Sequence, residues 1–156
     1  MTEQERQLRD QLIHLLRGGS AHLNFDDLVA DFPGHLINKK FQEVPYTAWQ
    51  VLEHLRIAQW DIIEFARNPS YVSPPFPEGY WPASDVQATT EMWNRSVEAF
   101  KRDSVTMQEL LNDSSVDLFA RIPHGDGQTW LRQALLIADH NAYHFGTLAL
   151  LKRLLV

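Results

Sequence analysis

Apolar residues recur along this chain at intervals of three and four, the spacing that gives an α-helix one buried face. The pattern divides the chain into four main helices and two irregular stretches, which predicts an all-α fold. The first helix ends at Gly18-Gly19. Its apolar stripe consists of Leu8, Leu12, Leu15 and Leu16. A short helix should follow, with Asn24 as its N-cap, and Pro33-Gly34 should end it after Phe32.

Capping boxes predict where the second and third main helices begin. Thr47 and Gln50 form the first box, and the helix that it opens should end at Asn68-Pro69. The apolar seam of that helix consists of Val51, Leu55, Ala58, Ile62 and Phe65. Ser84 and Gln87 form the second box, which predicts a third helix that ends near residue 112. The buried stripe of that helix should consist of Trp93, Val97, Phe100, Met107 and Leu111.

The last helix, from about Gln128 to Leu154, is apolar on nearly every side and should be the most buried of the four. The two stretches between the helices have different patterns. Residues 68–82 hold prolines that favour extended backbone, and aromatic side chains such as Trp81 that suit packing onto the helices. Residues 116–122 alternate enough for a short strand or an extended segment, and His124 lies in the turn that follows.

His140 and His144 lie one helical turn apart in the last helix, so both imidazoles project from one face and can bind the same ion. Two imidazoles at this spacing would repel each other if both were protonated, which favours neutral ligands of one cation. The alternative is a pair of core histidines that hydrogen-bond to the backbone or to each other. The spacing alone leaves both interpretations open.

A third ligand has to come from another helix, and His54 is the candidate because it lies beside the apolar seam of the second main helix. Asp61 shares this flank, whereas Glu53 should point outward. Asp61 is the best acid–base candidate, but seven residues of helix place it about 10 Å from His54. A hydrogen-bonding role behind the ligands, or a structural role, is therefore favoured over direct catalysis.

The length, composition and charge of the chain limit the kinds of metal site and partner that it can have. The length of 156 residues suits a single domain over residues 1–156, and without cysteine any metal must rely on His, Asp and Glu. The charged N-terminus and the lack of a run of about 20 apolar residues favour a cytoplasmic protein that does not enter a membrane. A net charge of −6 without a Lys/Arg cluster argues against nucleic acid and favours a small molecule or a protein as partner.

Two known metal-site motifs do not fit the sequence. The run from His140 to His144 has the histidine spacing of zinc peptidases, but Asn141 stands where that motif needs a glutamate. The Glu-x-x-His motifs of di-iron carboxylate bundles do not occur in the chain. Peptidase and ferritin-like chemistry are therefore disfavoured.

Four segments, taken in order, resemble the DinB-like superfamily of four-helix-bundle proteins, also called YfiT-like metal-dependent hydrolases. The segments are Trp49-Gln-Val-Leu-Glu-His54, Trp60-Asp61, Pro123-His-Gly125 and Asp139-His-Asn-Ala-Tyr-His-Phe-Gly146. The resemblance covers most of the chain and implies an up-down-down-up bundle with a long proline-rich crossover between helices 2 and 3. It also implies that His54, His140 and His144 bind one divalent ion, with Zn or Ni as the leading candidates. Members commonly form dimers, so a homodimer is expected.

The superfamily includes thiol-dependent transferases and isomerases, which use bacillithiol or mycothiol, beside members with no known reaction. A three-histidine metal keeps an open position at which it lowers the pKa of a bound thiol or water. The resemblance therefore implies metal-activated S-transfer or hydrolysis on a small molecule, with a low-molecular-weight thiol as candidate cosubstrate. The alternative is a non-catalytic, stress-associated dimer that binds a metal or ligand, which the lack of an obvious general base beside the triad favours.

Overall fold

The computed structural model describes residues 1–42 and 44–155, and in those residues the protein has five α-helices and no β-strand. The helices are α1 (Glu3–Arg17), α2 (Phe25–Val29), α3 (Ala48–Arg67), α4 (Thr90–Asn112) and α5 (Trp130–Leu155). Short 3₁₀ turns lie at Gly34–Leu36 and Glu78–Tyr80. The predicted all-α class is therefore confirmed. None of the helices in the described ranges is both long enough and apolar enough to cross a bilayer.

The starts of α2 and α3 lie at the predicted N-caps, because these two signals are entirely local. Asn24 Oδ1 accepts from the backbone N–H of Asp27 at 2.9 Å. At α3 the capping box is complete: Thr47 Oγ1 accepts from the N–H of Gln50 at 3.2 Å, and Gln50 Oε1 accepts from the N–H of Thr47 at 2.9 Å. The predicted end of α3 is confirmed as well, since Asn68 is its C-cap.

The start of α4 differs from the prediction. Ser84 and Gln87 do not open a helix, and α4 begins instead at Thr90 with Thr89 as its N-cap. The reason is a contact with a residue 50 positions away: the Asn38 side chain donates to the Ala88 carbonyl at 2.8 Å and accepts from the Ala88 N–H at 2.9 Å. This pairing occupies the backbone groups that a helix would use, so the helix begins only after residue 88.

The short helix α2 also ends earlier than predicted, at Val29 rather than after Phe32. Lys152 on α5 donates to the carbonyls of Asp27 at 2.9 Å and Ala30 at 2.6 Å. A cation at the free carbonyls stabilises a helix end. The next residue, Asp31, then takes a left-handed φ of 54°, which turns the chain away.

Helix α3 has the central position in the packing, because it contacts α4 and α5 and also the 3₁₀ turn at Glu78–Tyr80. Thirteen of its 20 residues are buried. The prediction that the last helix is the most buried is wrong, since only eight of the 26 residues of α5 are buried. The large apolar side chains of α5 that lie exposed are Leu135, Tyr143, Leu150 and Leu154.

Residues 116–122 do not form a strand; Arg121 makes one isolated antiparallel bridge with Thr129. The backbone after α4 is held instead by the buried side chain of Arg9. Its guanidinium donates to the carbonyls of Leu111 at 2.8 Å, Asp113 at 3.1 Å and Val116 at 2.5 Å. These bonds fasten the end of α4 to α1.

Candidate metal centre

Three histidines from two helices meet where α3 packs against α5. His54 lies on α3, and His140 and His144 lie one turn apart on α5. One ring nitrogen of each histidine lies within 4.8 Å of the other two. The three side chains are therefore close enough to bind a single metal ion.

His54 Nε2 is the centre of this histidine triad. It lies 3.0 Å from His140 Nε2 and 3.1 Å from His144 Nε2. Two nitrogen ligands at about 2.0–2.1 Å from a tetrahedral zinc ion lie about 3.3 Å from each other. The two distances from His54 Nε2 would have to lengthen by only roughly 0.3 Å to suit such an ion.

A hydrogen bond on the other side of His54 determines which of its nitrogens carries the proton. His54 Nδ1 lies 2.8 Å from the backbone carbonyl oxygen of Tyr80, and because a carbonyl can only accept, the proton is on Nδ1. In the neutral ring, Nε2 then has one lone pair, which faces both His140 and His144. One in-plane lone pair cannot align well with two N–H donors at once, whereas a cation would bind the lone pairs of all three rings. The donor set therefore fits a metal ion better than it fits a metal-free cluster.

The triad is neutral at ordinary pH because it is largely removed from water. Burial, and then the neighbouring His54, lower the pKa of His140 to about 4. Burial, and then the other two rings, lower the pKa of His144 to about 4. Burial also lowers the pKa of His54, although the bond to the Tyr80 carbonyl opposes this effect. Three uncharged imidazoles are the form that binds a metal without displacing protons.

Trp81 covers one face of His54. The two rings are parallel, with centroids 3.9 Å apart and an angle of 1° between their planes. Tyr46 stacks on Trp81 in turn, at 4.0 Å and 12°, so the indole lies between the phenol and the imidazole. The sequence predicted that Trp81 would pack onto the helices, and the structure shows that it packs on a candidate ligand.

The crossover between α3 and α4 brings Tyr80 and Trp81 to the triad through a tight turn. The N–H of Gly79 donates to the Pro75 carbonyl at 2.7 Å. A Cβ atom on residue 79 would lie 2.6 Å from the Cβ of Pro74, closer than two carbon atoms can approach. A glycine at this position lets the chain fold back and present the next carbonyl to His54.

Asp61 contacts the crossover rather than a histidine. Its side chain is buried, with 7% of the residue exposed, and its Oδ2 accepts from the Tyr80 hydroxyl at 2.7 Å. Burial, and then this hydrogen bond, raise the pKa of Tyr80 to about 12. Burial and then the charge of Asp61 also raise the pKa of Tyr71, a second phenol from the crossover. Asp61 thus lies behind the triad, without a hydrogen bond to any of its rings.

A chain of buried amides lies next to His140. Gln59 Nε2 donates to the Phe100 carbonyl at 2.8 Å, and Asn141 Nδ2 donates to Gln59 Oε1 at 2.9 Å. Because the Phe100 carbonyl can only accept, it fixes the orientation of both amides and leaves the Asn141 oxygen as an acceptor. The Asn141 side chain raises the pKa of His140, though by less than burial lowers it.

No protein-family model, curated protein or solved structure matches this chain. The residues of the triad and their neighbours are therefore the basis for assigning a function. Of the residues singled out from the sequence, the structure brings His54, His140 and His144 together. Asp61 does not contact the triad directly; it bonds to Tyr80, which bonds to His54.

Two other residues have structural roles. His124 is exposed, and its Nε2 donates to the Phe65 carbonyl at 2.5 Å, so it fastens its turn to the end of α3. Glu53 does not point outward as predicted. Its carboxylate accepts from Ser96 Oγ at 2.6 Å and pairs with Arg56, which places it in the contact between α3 and α4. Sequence reasoning missed the Tyr80 carbonyl, because a backbone group has no residue signature.

Proposed function

We propose that this protein binds one divalent metal ion through His54, His140 and His144 and uses it to act on a small molecule. The observation that carries the proposal is the convergence of three neutral Nε2 atoms, with His54 Nε2 3.0 and 3.1 Å from the other two. Zinc and nickel are the candidate ions, since both suit imidazole ligands. Three protein ligands leave at least one position open, as at catalytic rather than structural sites.

The proposed reaction is S-transfer or hydrolysis, with a low-molecular-weight thiol as cosubstrate in the first case. An ion at the triad would lower the pKa of a thiol or water molecule that binds there. The chain's own residues hold the ligands: the Tyr80 carbonyl keeps the His54 proton on Nδ1, and Trp81 shields one face of the ring. Both contacts restrain the His54 ring and leave its Nε2 directed at the other two histidines.

The proposal includes membership of the DinB-like superfamily. In that scheme α1, α3, α4 and α5 are the four helices of an up-down-down-up bundle, and the segment between α3 and α4 is the long crossover. The all-helical fold and the packing of α3 against both α4 and α5 support it. A homodimer is also proposed, supported by the exposed apolar side chains of α5, and light scattering that gives twice the 18.1 kDa chain mass would establish it.

The first experiment is elemental analysis of protein purified without a metal-affinity column. Wild type should carry one divalent ion per chain, and His54→Ala and His140→Ala should carry none while keeping their helicity. His14→Ala is the matched control, because His14 is an exposed histidine that contacts Ser20. If the wild type holds no metal and does not bind added zinc or nickel, the proposed function is wrong.

The second candidate function is a metal-holding or ligand-binding protein without turnover. The observation that favours it is the position of Asp61, whose hydrogen bond goes to Tyr80 and not to the triad. Metal-loaded wild type should be assayed with thiols and small electrophiles and with a panel of esters and amides, beside His140→Ala. Turnover that the variant lacks supports catalysis, and a metal-loaded protein inert to the whole panel supports the binding function.

A further inference from the structure

Tyr80 joins two positions of α3 that lie two helical turns apart. Its backbone carbonyl accepts from His54 Nδ1 at 2.8 Å, and its hydroxyl donates to Asp61 Oδ2 at 2.7 Å. The phenol end of the residue is therefore fastened to α3 independently of the carbonyl end. Both bonds have a single direction, since neither a carbonyl nor a carboxylate oxygen can donate.

We infer that Asp61 and Tyr80 are positioning residues of the triad: Asp61 holds the Tyr80 phenol, and Tyr80 in turn holds the His54 imidazole with its Nε2 lone pair toward the ion. The metal-affinity part of this inference rests on the proposed metal-binding function. The part that concerns the orientation and tautomer of His54 does not, because it applies to the metal-free protein.

The Asp61–Tyr80 bond is difficult to replace with water. Asp61 is only 7% exposed, and a buried carboxylate is costly unless it accepts hydrogen bonds. Tyr71, the other phenol near this carboxylate, makes no well-aligned hydrogen bond with it, so the Tyr80 hydroxyl is the well-aligned donor to Asp61 among the described residues. The carboxylate therefore holds the crossover in one place.

Two contacts of His54 depend on the position of the crossover. The acceptor at Nδ1 fixes the ring orientation of His54 and makes Nε2 a stronger ligand for a metal. Trp81, the next residue along the backbone, stacks on the same ring. If the phenol of Tyr80 loses its anchor, the carbonyl and the indole should both lose their fixed positions against His54.

The chain offers a matched control in Tyr71. This phenol also comes from the crossover, and the Asp61 charge, after burial, raises its pKa, so it lies close to the same carboxylate. Neither its backbone nor its side chain forms a hydrogen bond with a histidine in the described residues. Tyr71→Phe therefore removes a hydroxyl near Asp61 and leaves the Asp61–Tyr80 and Tyr80–His54 hydrogen bonds in place.

Asp61→Asn is the conservative variant, because its amide oxygen can still accept from Tyr80. Asp61→Leu and Tyr80→Phe each remove the bond. The double variant Tyr80→Phe/Asp61→Leu removes both partners and leaves no buried unpaired carboxylate, so it should fold even if Tyr80→Phe alone does not.

The experiment measures two quantities on these variants. The first is the tautomer of His54 in metal-free, ¹⁵N-labelled protein, read from long-range ¹H–¹⁵N correlations of the imidazole and from exchange of its ring proton. The second is the zinc affinity, from competition with a chromophoric chelator. Wild type, Asp61→Asn and Tyr71→Phe should show a protected Nδ1 proton and similar zinc affinity. Tyr80→Phe and Asp61→Leu should lose the protection and bind zinc about tenfold more weakly than wild type. The double variant should bind zinc no more weakly than either single variant, because both changes break the same bond.

The outcomes separate the two proposals. If wild type binds zinc and Tyr80→Phe and Asp61→Leu bind it equally well with a protected Nδ1 proton, the positioning role is wrong and the metal site stands. If wild type shows the proton on Nε2, the positioning role is wrong whether or not zinc binds. A third outcome is that wild type binds no zinc, its His54 Nδ1 proton is protected, and Tyr80→Phe and Asp61→Leu both lose that protection. The proposed function then fails and the positioning of His54 is confirmed.

Discussion

His54 and Trp81 lie in parallel contact, with ring centroids 3.9 Å apart and 1° between their planes. The preceding residue, Tyr80, accepts the Nδ1 proton of the same imidazole. Two consecutive crossover residues thus restrain one candidate ligand, one at its edge and the other at its face. The two histidines of α5 are held less firmly at Nδ1: this nitrogen is buried without a well-aligned hydrogen bond in both, and His140 has only the neighbouring Asn141 side chain as a polar contact.

Trp81→Leu should weaken zinc binding more than it weakens the fold. The variant exposes one face of His54 and frees the ring to tilt, so zinc affinity should fall by roughly tenfold. Tyr46→Leu is the control, because Tyr46 stacks on Trp81 and forms no hydrogen bond with a triad histidine in the described residues. Chelator competition measures both affinities. Equal affinity of Trp81→Leu and wild type would show that the stack does not hold the ligand.

The metal-free protein should lose stability as the pH falls from 6.5 toward 4. The pKa of both His140 and His144 is lowered from 6.5 to about 4 in the folded protein. Above pH 6.5 the rings are neutral in the folded and unfolded states, so they add no pH dependence. Below it the unfolded chain takes up protons that the folded protein does not, and the free energy of unfolding falls until the folded rings titrate near pH 4.

Urea unfolding of metal-free protein across this pH range measures the effect. A double variant, His140→Gln/His144→Gln, should show a shallower fall than wild type, because its carboxylates are unchanged and only the two rings are missing. Parallel pH profiles for the two proteins would contradict the neutral, buried state of these histidines.

Thr89→Ala should destabilise the protein by about 1 kcal/mol, since Thr89 is the N-cap that accepts from the Met92 N–H. Ser84→Ala should change the free energy of unfolding by less than about 0.5 kcal/mol, because Ser84 caps no helix. Urea midpoints of the two variants measure the difference. A larger effect for Ser84→Ala would place the start of α4 where the sequence pattern puts it.

Arg9→Met should be among the most destabilising single changes outside the triad, at about 3 kcal/mol or more. The variant leaves the carbonyls of Leu111, Asp113 and Val116 without the donor that now satisfies them. Arg6→Met is the control on the same helix, since Arg6 is exposed and its ion pairs are screened by water. Thermal unfolding should show a large fall in Tm for the first variant and little change for the second, with zinc affinity unchanged in both.

Local signals in the sequence predicted the local features well. Thr47 and Gln50 mark the start of α3 because both halves of the capping box lie within one turn. The same pattern failed at Ser84 because Asn38, far away in the sequence, binds the backbone of Ala88. A complete capping-box pattern can still be overridden by a tertiary hydrogen bond, and the sequence alone does not show which of the two forms.

In the candidate site too, the sequence predicts the residues with a local signal and misses the tertiary contacts. The i, i+4 spacing indicated His140 and His144, and the apolar seam of α3 indicated His54. The sequence could not predict the Tyr80 carbonyl as the acceptor for His54, because backbone carbonyls occur along the whole chain and carry no residue signature. The sequence pattern also overestimates the burial of α5, since apolar composition alone does not show which of its faces meet a neighbouring helix.

The triad also joins distant parts of the chain, since His54 lies 86 residues before His140 and 90 before His144. An ion shared by these side chains would be a reversible cross-link in a protein that has no cysteine for a permanent one. Its contribution to stability would grow with free metal, by about 2.7 kcal/mol at a concentration 100 times Kd. Separation of α5 from α3 would then require release of the ion, so metal supply would control how easily the fold opens.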